Sequence, residues 1–305
     1  MKRFDEHRGV LALLAVTLIW GTTFPTMKLL AGQFSAMQII ALRFAIAVLV
    51  LSPLLLQSRQ TEWRWGLGLG MLLFLAFALQ IEGLTRTSSN RNAFITGLNV
   101  LLVPLMGLVL GQRPAWNLWL ACLLALAGVR SLFWSDVPWN PGDSLTLAST
   151  VFYALYIHAL SAAQQPAGQH ARQPLRSLHL TALQGLVLLL GAVAVLHFSG
   201  QPLGVHRLLA ASGSSWLAVL HLGLVASIGG IALQAWGQRH VSATPSAVIY
   251  GLEPVFAALT ALVLLDEQLA PAGLLGGALI VAALVLSQLR LACPGPGSKA
   301  EVHSR

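Results

Sequence analysis

The run TPSAVIYGLEPVFAALTALVLLDE, from Thr244 to Glu267, decides how the chain is read. It is apolar for most of its length, with Glu253 and Pro254 set inside it. Roughly 20 apolar residues of helix cross a bilayer core of about 30 Å. A carboxylate near the middle of such a helix is costly unless it is paired, protonated or turned toward a water-filled cavity. A helix that holds both the Glu and the Pro is therefore expected to line something. The chain nearly repeats the run once, from Asn92 to Gln112.

The sequence around it has the same character. Of 305 residues, 56% are hydrophobic and 9% charged, where a soluble domain is roughly 25% charged. The mean hydropathy is +0.74. A soluble protein of this size has no means of hiding so much apolar surface. The chain reads as an all-α polytopic membrane protein. A β-barrel would alternate apolar and polar residues over strands of roughly ten. The apolar blocks here run for 18–22 residues, and a helix satisfies its own backbone groups within one such block.

Ten apolar segments are expected, over 10–31, 35–56, 64–83, 92–111, 115–134, 143–162, 177–198, 214–236, 244–265 and 272–290. The sixth is semi-polar, with Ser144, Thr146, Ser149, Thr150 and His158. That polarity suits a face turned toward protein or water. The net charge of +8 would suggest nucleic acid in a soluble domain. These basic residues stand singly at helix ends, where they set topology, so no nucleic acid partner is expected. Membrane lipid is the expected surrounding. With the N-terminus in the cytoplasm, Lys and Arg divide 12 inside to 5 outside, which favours both termini in the cytoplasm. Trp63, Trp65, Trp116 and Trp119 then mark the inner interface, and Trp134, Trp139 and Trp216 the outer one. Cys122 falls inside a segment and Cys293 in the tail, so no disulfide is expected. The basic start at Lys2 and Arg3 precedes no clear cleavage site and reads as a retained first span.

The repeat extends beyond the opening run. AFALQIEG at 76–83 resembles GIALQAWG at 230–237, which pairs Gln80 with Gln234. From Ile95 and from Tyr250 two longer stretches match at a constant offset of 155, which brings Gly111 and Gln112 opposite Asp266 and Glu267. Two halves, 1–134 and 142–290, then hold five spans each, followed by a cytoplasmic tail, 291–305. An odd number of spans makes the second half enter from the opposite side. The expected architecture is ten transmembrane helices in two inverted-topology repeats, a plan that permits alternating access at their interface.

Several residues stand out within the spans. Trp20 lies halfway through the first, in LIWGTTFPTMK, beside Gly21 and ahead of Pro25, which kinks a helix. Either Trp20, Phe24 and Thr17 or Thr23 face a central cavity, or Trp20 packs into a neighbour. Arg43 lies within the second span, roughly 12 Å from its outer end at about 1.5 Å per residue. It has three readings: a substrate carboxylate, an ion pair with Glu82, or snorkelling. Glu253 is open to proton carriage, contact with a substrate ammonium, or a structural bond. Asn99 stands near its place in the first half. Gln80 and Gln234 are either cavity donors or glue between helices. Tyr153 and Tyr156 offer stacking and hydroxyl groups, and His158 reads as structural. Trp236 is an interface anchor or a contact, and Asp266 and Glu267 a solvated terminus. Gly273, Gly276, Gly277 and Ala278, opposite Ala121, Cys122, Ala125 and Gly128, allow close helix packing or a dimer surface. Monomer and homodimer both remain open. No metal-spaced cluster, phosphate loop or nucleophile elbow is present.

With LIWGTTFP at 18–25, the duplicated halves, and Glu253-Pro254 followed by Asp266-Glu267, the chain resembles the EamA-type branch of the drug/metabolite transporter superfamily over residues 9–290. Asn99 and Gln112 depart from the pattern in the first half. The resemblance implies ten helices and a bacterial inner-membrane carrier that exports amino acids, other small metabolites or drugs. It implies no enzymatic activity and no cofactor. The cavity is then expected among spans one, three, four, six, eight and nine. The aromatic candidates Trp20, Phe24, Phe77, Tyr153, Tyr156 and Tyr250 lean the substrate toward a bulky apolar amino acid. Arg43, Gln80, Asn99, Gln234 and Glu253 complete the expected substrate-binding set. A channel and a non-transporting membrane scaffold are the competing classes.

Overall fold

The computed structural model describes residues 2–112, 116–132, 138–164, 174–266 and 272–288. Trp134, Glu267, Cys293 and the tail lie outside them. Every regular element among the described residues is a helix, with no strand among them. Among the described residues eight helices are long and apolar enough to cross a membrane: Asp5–Ala31, Ala36–Leu56, Gln60–Arg86, Ser89–Val109, Pro141–Gln164, Ser177–Phe198, Gly213–Gly237 and Ala243–Leu265. They are eight of the ten expected segments and keep those ordinals here. The fifth and tenth segments are shorter helices of 17 residues, Trp116–Leu132 and Ala272–Gln288.

Three of the spans are broken. The first divides at Thr22, between helices Lys2–Gly21 and Thr23–Ala31. The ninth divides at Gly251 and Leu252. Each break falls just ahead of a proline, Pro25 and Pro254. A proline has no N–H for the carbonyl four residues back and its ring crowds that carbonyl, here Gly21 and Tyr250. The fourth span divides at Leu98 with no proline there, after Gly97. Its lower helix starts at Asn99 and that of the ninth span at Glu253. Asn99 therefore matches Glu253 at an offset of 154, where the sequence match at 155 had placed it opposite Pro254. At the far ends Gly111 and Asp266 share positive φ, 77° and 53°, and there 155 holds. One extra residue in the ninth span accounts for the change.

The eighth span carries a π-helical stretch over His221–Gly230. Lipid offers no hydrophobic drive between apolar helices, so close packing holds them together. A Cβ on Gly66 would come within 2.5 Å of Leu183 Cβ, and one on Gly70 within 2.8 Å of Val187 Cβ. These glycines let the third span lie directly on the seventh. Gly128 plays the same part for the two short helices, where a Cβ would meet the Gly276 carbonyl at 2.6 Å. Cys122 is buried in that contact and free.

Charges gather at the span ends. Glu62, at the start of the third span, pairs with Arg176 at 2.7 Å, and the Glu62 hydrogen bonds hold the Arg176 guanidinium above its ordinary value. At the opposite end Arg91 pairs with the buried Asp143 at 2.9 Å. Lys28 donates to the carbonyls of Leu84 and Thr87 at 2.9 and 2.5 Å, closing the third span's C-terminus.

Gly66→Leu is expected to destabilise the protein by about 1–3 kcal/mol through overpacking. Gly68→Ala, with open space around it, is expected to change stability little. Thermal unfolding in detergent measures both.

Candidate functional site

A cavity with about 550 Å³ of empty space lies among the first, second, third, fourth, sixth, eighth and ninth spans. It is narrow: the centre of a water molecule reaches only about 40 Å³ of it. All eleven residues singled out from sequence line it: Trp20, Phe24, Arg43, Phe77, Gln80, Asn99, Tyr153, Tyr156, Gln234, Tyr250 and Glu253. Thr23 joins them, while Thr17 turns back on the Leu14 carbonyl at 2.7 Å. Leu73, Thr96 and Ile157 also line it and were missed. Helical spacing would have found them. Leu73 precedes Phe77 by four and Gln80 by seven, Thr96 precedes Asn99 by three, and Ile157 follows Tyr153 by four, each on the face already identified.

Arg43 is 1% exposed. Its Nε donates to Ser227 Oγ at 2.9 Å and its Nη1 points at Met27 Sδ at 3.6 Å. The guanidinium carbon lies 4.7 Å from the Phe77 ring centroid and 5.1 Å from that of Phe44. Aromatic faces stabilise a desolvated cation, by about 2 kcal/mol where water is excluded. No carboxylate among the described residues pairs with it. Glu82, one expected partner, is taken by Arg86 at 2.7 Å, one turn away on the same helix.

The π-helical stretch meets both Arg43 and Trp20. Ser227 accepts from Arg43, and the Ala226 carbonyl accepts from Trp20 Nε1 at 3.4 Å. The indole lies against Gly230, where any side chain would collide with it. Its other neighbour is Tyr250, with ring centroids 5.9 Å apart.

The opposite wall is a hydrogen-bonded chain. Tyr153 Oη donates to Gln80 Oε1 at 2.8 Å, Gln80 Nε2 to Thr96 Oγ1 at 3.1 Å, and Thr96 Oγ1 to the Asn92 carbonyl at 2.9 Å. Asn92 Nδ2 returns to the Gln80 carbonyl at 3.1 Å and to Thr146 Oγ1 at 2.7 Å. The third, fourth and sixth spans are thereby joined. Phe77 packs edge-on to Tyr153 at 5.9 Å. Tyr156 Oη is held by Gln184 Oε1 at 2.9 Å.

Other polar atoms have no partner. Asn99 Oδ1, Gln234 Oε1 and Tyr250 Oη are buried without a hydrogen bond. Tyr250 and Gln234 are neighbours that interact, though short of full hydrogen-bond geometry. Among the described residues the Glu253 carboxylate has neither an ion pair nor a hydrogen bond. The Tyr153 phenol lies within electrostatic reach of both Glu253 and Arg43. The cavity thus holds a guanidinium and a carboxyl group that make no ion pair with each other, together with aromatic faces and polar groups still to be satisfied.

The remaining candidates lie elsewhere. His158 bonds the Val103 carbonyl through Nε2 at 2.7 Å. Trp236 packs against His240, with centroids 5.0 Å apart. Asp266 caps the ninth span in left-handed conformation. No metal-holding group of His, Cys, Asp or Glu occurs among the described residues.

The model of the EamA-like transporter family matches residues 7–134 and again 140–289. An uncharacterized transporter of Archaeoglobus fulgidus is 27% identical over 282 residues, covering 92% of this chain and 86% of its own. A protein known from a crystal structure superposes with a TM-score of 0.67 at 20% identity, over 92% of this chain and 96% of that one. This last likeness speaks for the fold.

Tyr153→Phe and Gln80→Leu are expected to couple. A double-mutant cycle on thermal stability should give an interaction of about 0.5–1.5 kcal/mol. A value near zero would mean that the Tyr153–Gln80 bond does not support the wall.

Proposed function

Because the chain belongs to the EamA-like transporter family, we propose that it exports a bulky apolar amino acid, aromatic by preference, or a closely related metabolite, by alternating access. The observation that carries this reading is a guanidinium and a carboxyl group, neither with an ion-pair partner among the described residues, in one aromatic-lined cavity. Burying an unpaired ion costs several kcal/mol, so the Arg43 charge is expected to be answered by cargo or water, and the Glu253 carboxyl to take its charge when it meets a cationic group. A zwitterion answers both: its carboxylate meets Arg43, its ammonium meets Glu253, and Asn99, Gln80 and Gln234 complete the polar contacts. Trp20, Phe24, Phe77, Tyr153, Tyr156 and Tyr250 take the side chain.

Ten spans in two inverted repeats, 1–134 and 142–290, complete the proposal, with the two short helices as spans five and ten. The neighbour pattern supports it. The first span packs on the eighth and ninth as the sixth packs on the third and fourth, and the third meets the seventh as the eighth meets the second. The second and seventh pack on each other, as do the fourth and ninth and the two short helices. Exchanging the halves maps this set of neighbours onto itself. The family model, matched once in each half, supports the same division. In this reading both termini face the cytoplasm of a bacterial inner membrane. The Glu62–Arg176 pair then closes the inner end and Arg91–Asp143 the outer end.

A second reading is export of lipophilic cations, for which Glu253 and the aromatic walls suffice and Arg43 is a burden. Counterflow in proteoliposomes of purified protein separates the two. The expected result is saturable flux of an aromatic amino acid that Trp20→Ala and Arg43→Ala each reduce at equal protein level. Loss of the Arg43 contact should weaken cargo affinity by about 1.5–3 kcal/mol, roughly tenfold to a hundredfold. Flux of cations alone, unharmed by Arg43→Ala, would select the second reading. No saturable flux across the panel, from folded protein, would favour a channel or scaffold.

Glu253→Gln divides ammonium contact from proton carriage. If the carboxylate holds the ammonium, the variant loses counterflow at equal pH. If it carries the proton, the variant keeps that exchange and loses only its response to a pH gradient.

A further inference from the structure

A second hollow, wide open at the surface, lies on the lipid-facing side of the first span, with about 1010 Å³ of space counting the open side. The first span forms its floor through Leu18 and Thr22. His221 of the eighth span forms one wall, and Phe256, Thr260 and Val263 of the ninth form the other. Its rim is apolar and faces outward: Val263 is 78% exposed. Its floor is the back of the central cavity. Trp20, Thr23 and Phe24 line the cavity, while Thr22, between them, faces the groove. At this residue the first span is interrupted. The two spaces are therefore separated by one helix, at its break.

A side-chain bond spans that wall. Thr22 Oγ1 gives its proton to the Ile19 carbonyl at 2.6 Å and lies 2.8 Å from His221 Nε2. The imidazole is therefore the donor to the hydroxyl. His221 also lies within electrostatic reach of Arg43, which belongs to the cavity. An imidazole in a lipid-facing groove, here beside Thr22, Thr26 and Thr260, is costly unless it serves something.

We propose that this groove is a lateral portal of the central cavity, opening between the eighth and ninth spans into the surrounding leaflet, with the Thr22–His221 bond as its latch. Its occupant is the apolar portion of the cargo, which leaves into lipid while the polar end remains near Arg43. The class of molecule is an amphiphile with an apolar side chain or tail. The orientation proposed above makes this the outer leaflet. The portal rests on the reading of the central cavity as the cargo site.

The test is thiol labelling in proteoliposomes. Thr23→Cys, in a Cys293→Ser background, places a thiol in the central cavity. N-Dodecylmaleimide, confined to the bilayer, is compared with a charged, water-borne methanethiosulfonate. Val263→Trp and Thr260→Trp plug the groove from two positions, and the lipid exposure of Val263 makes the first safe for folding. The expected result is reaction of the introduced thiol with the dodecyl reagent, slowed at least tenfold by either plug, with the water-borne reaction unchanged. Reaction no faster than that of the buried Cys122 in the parent, lipid-borne reaction that neither plug slows, or plugs that slow both reagents alike would each overturn the portal. Labelling as expected in a protein that moves no amino acid would leave the portal standing and remove the amino-acid reading. Amino-acid flux without lipid-borne labelling would remove the portal alone.

Discussion

Taking a guanidinium out of water is the constraint on which this structure depends. Arg43 is fully enclosed, and a guanidinium does not readily shed its proton. The fold answers with Ser227 on one nitrogen, Met27 on another, and the faces of Phe44 and Phe77. Among the described residues it supplies no carboxylate. Glu253 shares the same cavity and likewise has no ion-pair partner among the described residues. In the function proposed above, a cargo that carries both charges answers the two groups.

The helices are shaped to hold that site. Three of the spans that line the cavity are interrupted beside it: the first at Thr22, the fourth at Leu98 and the ninth at Gly251 and Leu252. A fourth, the eighth, is π-helical there. Irregular backbone at membrane depth persists only where protein or water can satisfy it, and π-helical turns collect at functional sites. Here the π-turns carry both the Ser227 hydroxyl that orients Arg43 and the Ala226 carbonyl that orients Trp20. Tight helix contacts through Gly66, Gly70 and Gly128 form the rigid frame, away from the cavity.

Much of this was legible in the sequence, for a physical reason. In a membrane, polar and aromatic residues at mid-span are costly, so those that remain stand out. That logic led to Arg43, Glu253, Gln80, Gln234, Asn99 and the aromatic set, and the fold gathers them around one space. Leu73 and Ile157 carry no such signal, because an apolar residue in an apolar span looks like packing. Thr96 is concealed by the ease with which threonine bonds its own helix. The Arg43–Glu82 pair failed because depth alone was used, and a partner one turn away on the same helix was nearer. The π-helix left no mark in the residue pattern. The proposed repeat sets Asn99 opposite Pro254 in sequence, while the helix starts set it opposite Glu253, since short apolar stretches align almost equally well at neighbouring offsets.

Equilibrium binding of phenylalanine to the purified protein, beside phenylalanine methyl ester and 3-phenylpropionate, tests the central claim most directly. The three share a ring and differ in which charged end they keep. If the separated charges of Arg43 and Glu253 are the cargo site, phenylalanine binds and each analogue binds at least tenfold more weakly. Arg43→Ala should erase the advantage over the ester, and Glu253→Gln the advantage over the propionate. Equal binding of all three, or none, would contradict the claim that this cavity recognises a zwitterion.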